Sequence, residues 1–233
     1  MAPLQFDAAS VKAVRPETLT PLRIATDPGR FRAQSVSIYA LIAYAYDVQP
    51  VQVVDLKPDP GLYDVEGKAD SEHSQAELRL MLQGLLAERF RLKFHREMRE
   101  MPVDRLVIGR NLKLKATELT EADPHGFSLH ASERPGFLKA TASAMSLKWL
   151  ADNLSGHLSR LVVDDTDLKG LYEFEVEFEF DTAEARDVNV PVREASNHIR
   201  EGLVSALGLK LQSGKKAQVE VLMIDQVERP EAN

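Results

Sequence analysis

The stretch Tyr172-Glu-Phe-Glu-Val-Glu-Phe-Glu-Phe180 alternates apolar and acidic residues without a break. In a strand, successive side chains point to opposite faces. Tyr172, Phe174, Val176, Phe178 and Phe180 therefore share one face, and Glu173, Glu175, Glu177 and Glu179 the other. A helix would scatter both sets around its axis. One face of this strand must be covered and the other wet, the pattern of an antiparallel sheet with helices on one side. A short apolar strand, Leu161-Val-Val163, and an acidic turn, Asp164-Asp-Thr-Asp167, precede it.

The remaining elements follow from spacing. Phe6–Val14 and Phe31–Val36 read as strands, with residues 15–30 a proline-broken loop between them. Ser37 caps a helix marked by Ile38, Leu41, Ile42 and Ala45. Strands at 51–56 and 62–69 flank the turn Lys57-Pro-Asp-Pro-Gly61. Ser74 opens a strong helix whose stripe is Leu78, Met81, Leu82, Leu85, Leu86 and Phe90. Residues 91–96 and 103–108 read as a hairpin about Met101-Pro102. Residues 111–136 lack a period and read as a connecting segment with one irregular strand. A strand from Phe137 leads to Ser146, which caps a helix carrying Leu147, Leu150, Ala151, Leu154 and Leu158. Residues 181–190 form an acidic loop, and Pro191 opens a helix marked by Ala195, Ile199, Leu203 and Leu207. A last hairpin turns at Ser213-Gly214, and the end beyond Pro230 is loose.

The two halves line up. Ser37-Ile38-x-x-Leu41 matches Ser146-Leu147-x-x-Leu150, and Gly61-Leu-Tyr matches Gly170-Leu-Tyr at the same separation. Leu92-Lys-Phe94 matches Leu209-Lys-Leu211. The expectation is an internal duplication: a first repeat over 1–110, the connecting segment 111–136, and a second repeat over 137–233. The fold class expected is α+β with two related halves. Each half runs strand-helix-strand-strand-helix-strand-strand, with mostly antiparallel sheet and helices on one face.

Composition excludes more than it assigns. With 233 residues, 44% apolar and 28% charged, the chain is of globular type. A net charge of −7 argues against general nucleic-acid binding. The absence of cysteine removes disulfides, thiolate metal sites and cysteine nucleophiles. No apolar run is long enough to span a membrane. Met1-Ala-Pro-Leu-Gln-Phe-Asp7 lacks the regions of a signal peptide, so for an exported protein the chain is the mature part with an added Met.

Phe6–Lys12, Leu41–Tyr46, Gln75–Arg96 and Val162–Phe174 resemble a soil-associated bacterial family of unknown function. That family is expanded in acidobacteria and is sometimes fused to BlaR-type metallopeptidase domains. The resemblance covers nearly the whole chain and implies an extracytoplasmic domain, periplasmic or secreted. It supplies no catalytic residues. More loosely, the halves are similar in topology to the short N-terminal domains of secretins and TonB-dependent receptors, which are periplasmic interaction modules.

No catalytic or metal constellation emerges. The histidines (His73, His95, His125, His130, His157 and His198) form no spaced metal motif. His125 and His130 with Asp123 read as solvated loop residues rather than a metal site. Asp164, Asp165 and Asp167 lack the spacing of a calcium loop and read as a turn. Neither a nucleophile elbow nor a phosphate loop is present. The candidate binding residues are charged. Arg91, Lys93, His95 and Arg99 form a basic strand face, and Glu173, Glu175 and Glu177 an acidic one. Either the two faces pair with each other, or the first receives an acidic partner and the second a basic one. The function expected is a non-catalytic extracytoplasmic binding or interaction domain, taking a protein or peptide partner and no cofactor. The alternatives are an extracytoplasmic hydrolase with a site between the halves, or a sensor binding a small ligand there.

Overall fold

The computed structural model describes residues 4–15, 23–57, 61–119, 126–158, 160–180 and 192–230; the side chains of 156–158 and 192–196 lie outside that description. Twelve strands and four α-helices occur among the described residues. They are β1 (Ala8–Ala13), β2 (Arg23–Asp27), β3 (Arg30–Ser37), α1 (Ile38–Ala45), β4 (Val53–Val54), β5 (Leu62–Lys68), α2 (Gln75–Arg89) and β6 (Lys93–Ile108). There follow β7 (Lys115–Ala116), β8 (Gly126–Ala131), β9 (Phe137–Met145), α3 (Leu147–Leu158), β10 (Leu161–Asp164), β11 (Tyr172–Glu179), α4 (Val192–Ala206) and β12 (Leu209–Gln226). The protein is α+β with three mostly antiparallel sheets. The exceptions are two short parallel pairings, β4 with β12 and β10 with β6.

The chain divides into two compact units, 1–99 with 218–233, and 100–217. In the first unit a sheet has the order β1-β5-β3-β2. Phe31, Val65 and Tyr63 of that sheet are buried with Leu41 and Ile42 of α1 and with Leu82 and Leu86 of α2. Each such side chain taken fully out of water stabilises by about 1.5–3 kcal/mol. In the second unit the order is β7-β11-β9-β8. Phe174, Val176 and Phe178 of β11 are buried with Leu150 and Leu154 of α3 and with Leu203 and Val204 of α4. Glu175, Glu177 and Glu179 stay exposed, as the alternation requires.

The helix starts are chemical. Ser37 Oγ accepts from Ala40 N–H at 3.3 Å, and Ser146 Oγ from Trp149 N–H at 3.1 Å. Ser74 and Glu77 close a reciprocal capping box. Each unit's main sheet carries a bulge beside a left-handed residue: Ser35 (φ 49°) in β3 and Ala144 (φ 50°) in β9.

Several expectations are corrected. Residues 15–30 are not all loop, because 23–27 form β2 and pair with β3 through the Pro28-Gly29 turn. Gly29 has φ +73°, and a Cβ there would collide with the Ser71 carbonyl oxygen. The connecting segment contributes both β7 and β8 to a sheet. Neither expected hairpin forms. β6 runs through Met101-Pro102 and β12 through Ser213-Gly214, and the two long strands are sheet neighbours. Pro102 fixes a φ that extended backbone accepts, and its missing N–H is tolerated just before the β10 pairing begins at Val103. The acidic loop 181–190, Pro191, the chain's last three residues, and Asp123 with His125 lie outside the described residues.

Candidate functional site

The charged residues singled out from sequence fall in separate units. Lys93, His95 and Arg99 lie along the first-unit part of β6, and Arg91 precedes that strand with φ 51°. His95 Nδ1 is 3.0 Å from Asp225 Oδ1, and Arg99 reaches Glu97 at 3.3 Å and Asp55 at 3.7 Å. Among the described residues neither Arg91 nor Lys93 has an ion-pair partner. In the second unit, Glu173 pairs with Lys115 at 2.6 Å and Glu175 with Lys139 at 2.7 Å. Glu177 accepts from Ser132 Oγ at 2.5 Å and lies 3.7 Å from Arg134. The acidic face thus has basic neighbours within its own unit. Lys115 donates to Glu173 and Lys139 to Glu175, and these hydrogen bonds hold both ammonium groups above the usual lysine range.

The acidic turn is local structure. Asp164 Oδ1 accepts from Thr166 N–H at 3.0 Å and from its Oγ1 at 2.6 Å, and Asp165 pairs with Arg105 at 3.0 Å. No grouping of three or more His, Asp or Glu suited to a metal occurs among the described residues.

A network missed in the sequence sits at the start of α2. Ser71 Oγ is 3.2 Å from His73 Nε2, and His73 Nδ1 is 3.5 Å from Glu77 Oε2. The sequence of contacts is that of a nucleophile, a base and an orienting acid. Its members are nonetheless committed to the helix end. Glu77 Oε2 accepts Ser74 N–H and Oγ, each at 2.8 Å, and those bonds depress its pKa. Ser71 Oγ donates to Asp70 at 3.1 Å, and hydrogen bonds from His73 and Ser71 hold the Asp70 carboxyl low.

An apolar concave surface lies on the second unit, beside β8. This strand is the last in its sheet and pairs only with β9 among the described residues. All six of its residues are exposed. Nothing in Gly126-Phe-Ser-Leu-His-Ala131 blunts the edge with lysine, glutamate or proline. Phe127 and Leu129 share one face by the period of two. With Trp149, Leu150 and Leu154 of α3, and Ile199 and Leu203 of α4, they line an apolar groove of about 240 Å³. Phe127 and Trp149 meet with ring centroids 5.5 Å apart, and both rings remain exposed.

Arg200 forms part of the same wall. Only 8% of it is exposed, and burial pulls its pKa below the usual arginine value. It also lines a second cavity of about 450 Å³ with the charged Asp104, Arg110, Glu201 and Lys210. Asp104 faces Arg160 at 3.5 Å, and its Oδ1 is buried without a hydrogen bond among the described residues. Sequence reasoning passed over this site, although it left traces. Phe127-x-Leu129 alternates inside the unpatterned segment. Arg200 stands one turn before Leu203 and Val204, where an apolar residue would continue the stripe.

A family model described as a protein of unknown function (DUF3738) matches residues 39–227. Neither a curated protein nor a solved structure matches the chain.

Proposed function

The chain belongs to that family of proteins of unknown function, and within it we propose a non-catalytic binding module that takes an extended peptide segment of a partner protein along β8. One observation carries the reading: a strand that is a sheet edge among the described residues borders an apolar groove topped by exposed Phe127, Leu129 and Trp149. An edge strand offers free main-chain groups to an added strand, and side chains of alternate residues then drop into the groove. A site outside the cytoplasm is part of the proposal. It rests on the resemblance to the soil-associated, acidobacterial family with exported and BlaR-fused members.

We also propose that the two repeats, 1–110 and 137–233, descend from one duplicated unit. In its support, each repeat holds a strand, helix and strand whose two strands pair antiparallel in the unit's main sheet, β3-α1-β5 in the first and β9-α3-β11 in the second. The bulges at Ser35 and Ala144 and the caps at Ser37 and Ser146 also occupy corresponding positions.

The single tryptophan of the chain gives the test. Extended peptides with alternating apolar residues should shift Trp149 emission to the blue, saturably, as the ring leaves water. Leu129→Asp, at a surface position, should weaken binding at least tenfold, on the order of 1.4 kcal/mol. A groove variant that binds as well as the wild type would remove the site. The charged surfaces are a separate proposal, an acidic partner for the strand of Arg91, Lys93, His95 and Arg99 and a basic one for Glu173, Glu175 and Glu177. Charge reversal of Arg91 and Lys93 with partner binding intact counts against it. A hydrolase reading distinct from the expected one between the halves draws on the Ser71–His73–Glu77 contacts, and failure of a fluorophosphonate to label Ser71 counts against it.

A further inference from the structure

The geometry points to a more specific ligand for the same groove, the free C-terminal end of a peptide, with Arg200 receiving the terminal carboxylate. This rests on the peptide-binding reading above. Arg200 is charged and 8% exposed, yet its hydrogen bonding among the described residues is one contact, Nη1 to Asn197 Oδ1 at 3.3 Å. No carboxylate of the described residues lies within ion-pair distance of it. A guanidinium taken out of water is costly unless an anion or a full set of acceptors compensates it. Its planar fork of N–H donors matches a carboxylate bidentately.

The surroundings favour an incoming anion. Arg110 and Lys210, both exposed, line that second cavity and add two positive charges to that of Arg200. Of the two acids in the wall, Asp104 already faces Arg160, and the exposed Glu201 offsets one of the three positive charges, which leaves the lining net positive. Among the described residues, Arg200 is the one that lines both the second cavity and the apolar groove. A ligand seated across it has an apolar body on one side and a negative group on the other. An extended peptide ending in an apolar residue has that form. Its main chain can pair with β8, its last side chain can enter the groove beside Phe127 and Trp149, and its carboxylate can reach Arg200. The groove of about 240 Å³ holds one or two side chains, which suits a chain terminus better than the face of a folded domain.

The test compares two pools of acetylated hexapeptides, randomised except for a last residue of valine, leucine or phenylalanine. One pool carries the free acid and the other the C-terminal amide. Binding is followed by Trp149 emission and calorimetry. The acid pool should bind about ten- to a hundredfold more tightly than the amide pool, as a charge-assisted contact implies. The preference should shrink as salt is raised. Arg200→Gln should abolish it and leave amide binding in place. If that variant does not fold, the exposed pair Arg110→Gln with Lys210→Gln decides instead, and should cut the preference severalfold. Equal binding of acid and amide by the wild type overturns the carboxylate anchor and leaves the groove reading standing. No Trp149 response to either pool overturns both, as does a concentration-dependent dimer that buries Trp149 against a second copy.

Discussion

Gly202→Ala tests how closely α4 lies on the alternating strand. Glycine inside a helix is about 0.8–1 kcal/mol less favourable than alanine, so a helix lying free would be stabilised by the change. Here a Cβ at Gly202 would sit 2.6 Å from Phe178 Cδ2 and 3.1 Å from Cε2. Carbon atoms in ordinary contact lie about 3.5–4.0 Å apart, so ring or helix must retreat by about 1 Å. Phe178 is 5% exposed and held among Leu203, Val204 and the rest of the core, which leaves the ring little room. Overpacking of this kind costs about 1–3 kcal/mol. Set against the helix gain, Gly202→Ala should be a net loss of about 1 kcal/mol. Phe178→Val removes the opposing ring atoms at a cost of its own. In that background, Gly202→Ala should instead stabilise by about 1 kcal/mol. The four proteins form a double-mutant cycle whose coupling equals the clash. Urea unfolding followed by circular dichroism measures each step, provided the slopes agree. A rise in midpoint for Gly202→Ala in the wild type would refute the close approach, and so would the same effect in both backgrounds.

Two further changes probe backbone and charge. Arg91 holds φ 51° after α2, a conformation that costs a side-chain-bearing residue about 1–2 kcal/mol. The corresponding place after α4 is Gly208 (φ 76°), so Arg91→Gly should raise stability by about 1 kcal/mol, read as a higher urea midpoint. Lys115 and Lys139 have raised pKa values, so their contribution is present in full below the unfolded lysine value of about 10.4 and is lost as pH climbs through the folded value. Midpoints should therefore fall above about pH 10.4, and the fall should be smaller in Glu173→Gln with Glu175→Gln.

The local grammar of the chain was legible. Ser37, Ser74 and Ser146 announce helix starts because a hydroxyl before an apolar stripe satisfies orphan N–H groups, and all three do so. The Glu stripe reads as wet because its period of two leaves no other choice once the phenylalanines are covered. The groove was less legible. Phe127, Leu129, Trp149, Ile199 and Arg200 come from three elements spread over more than seventy residues of sequence. No window of sequence contains them together.

Strand pairing marks the same boundary. Met101-Pro102 and Ser213-Gly214 look like turns because proline and glycine punctuate most chains. Each is carried straight through a long strand, and the far parts of β6 and β12 are packed in the other compact unit from their near parts. The amino-acid order alone settled which residues form helix or strand and which face of each seeks cover, since both depend on neighbours a few positions away. Which strand lies beside which, that β8 is left as an edge, and that a buried guanidinium meets an apolar groove were settled only on folding. Those features depend on contacts between residues far apart in the chain, and local periodicity carries no record of them.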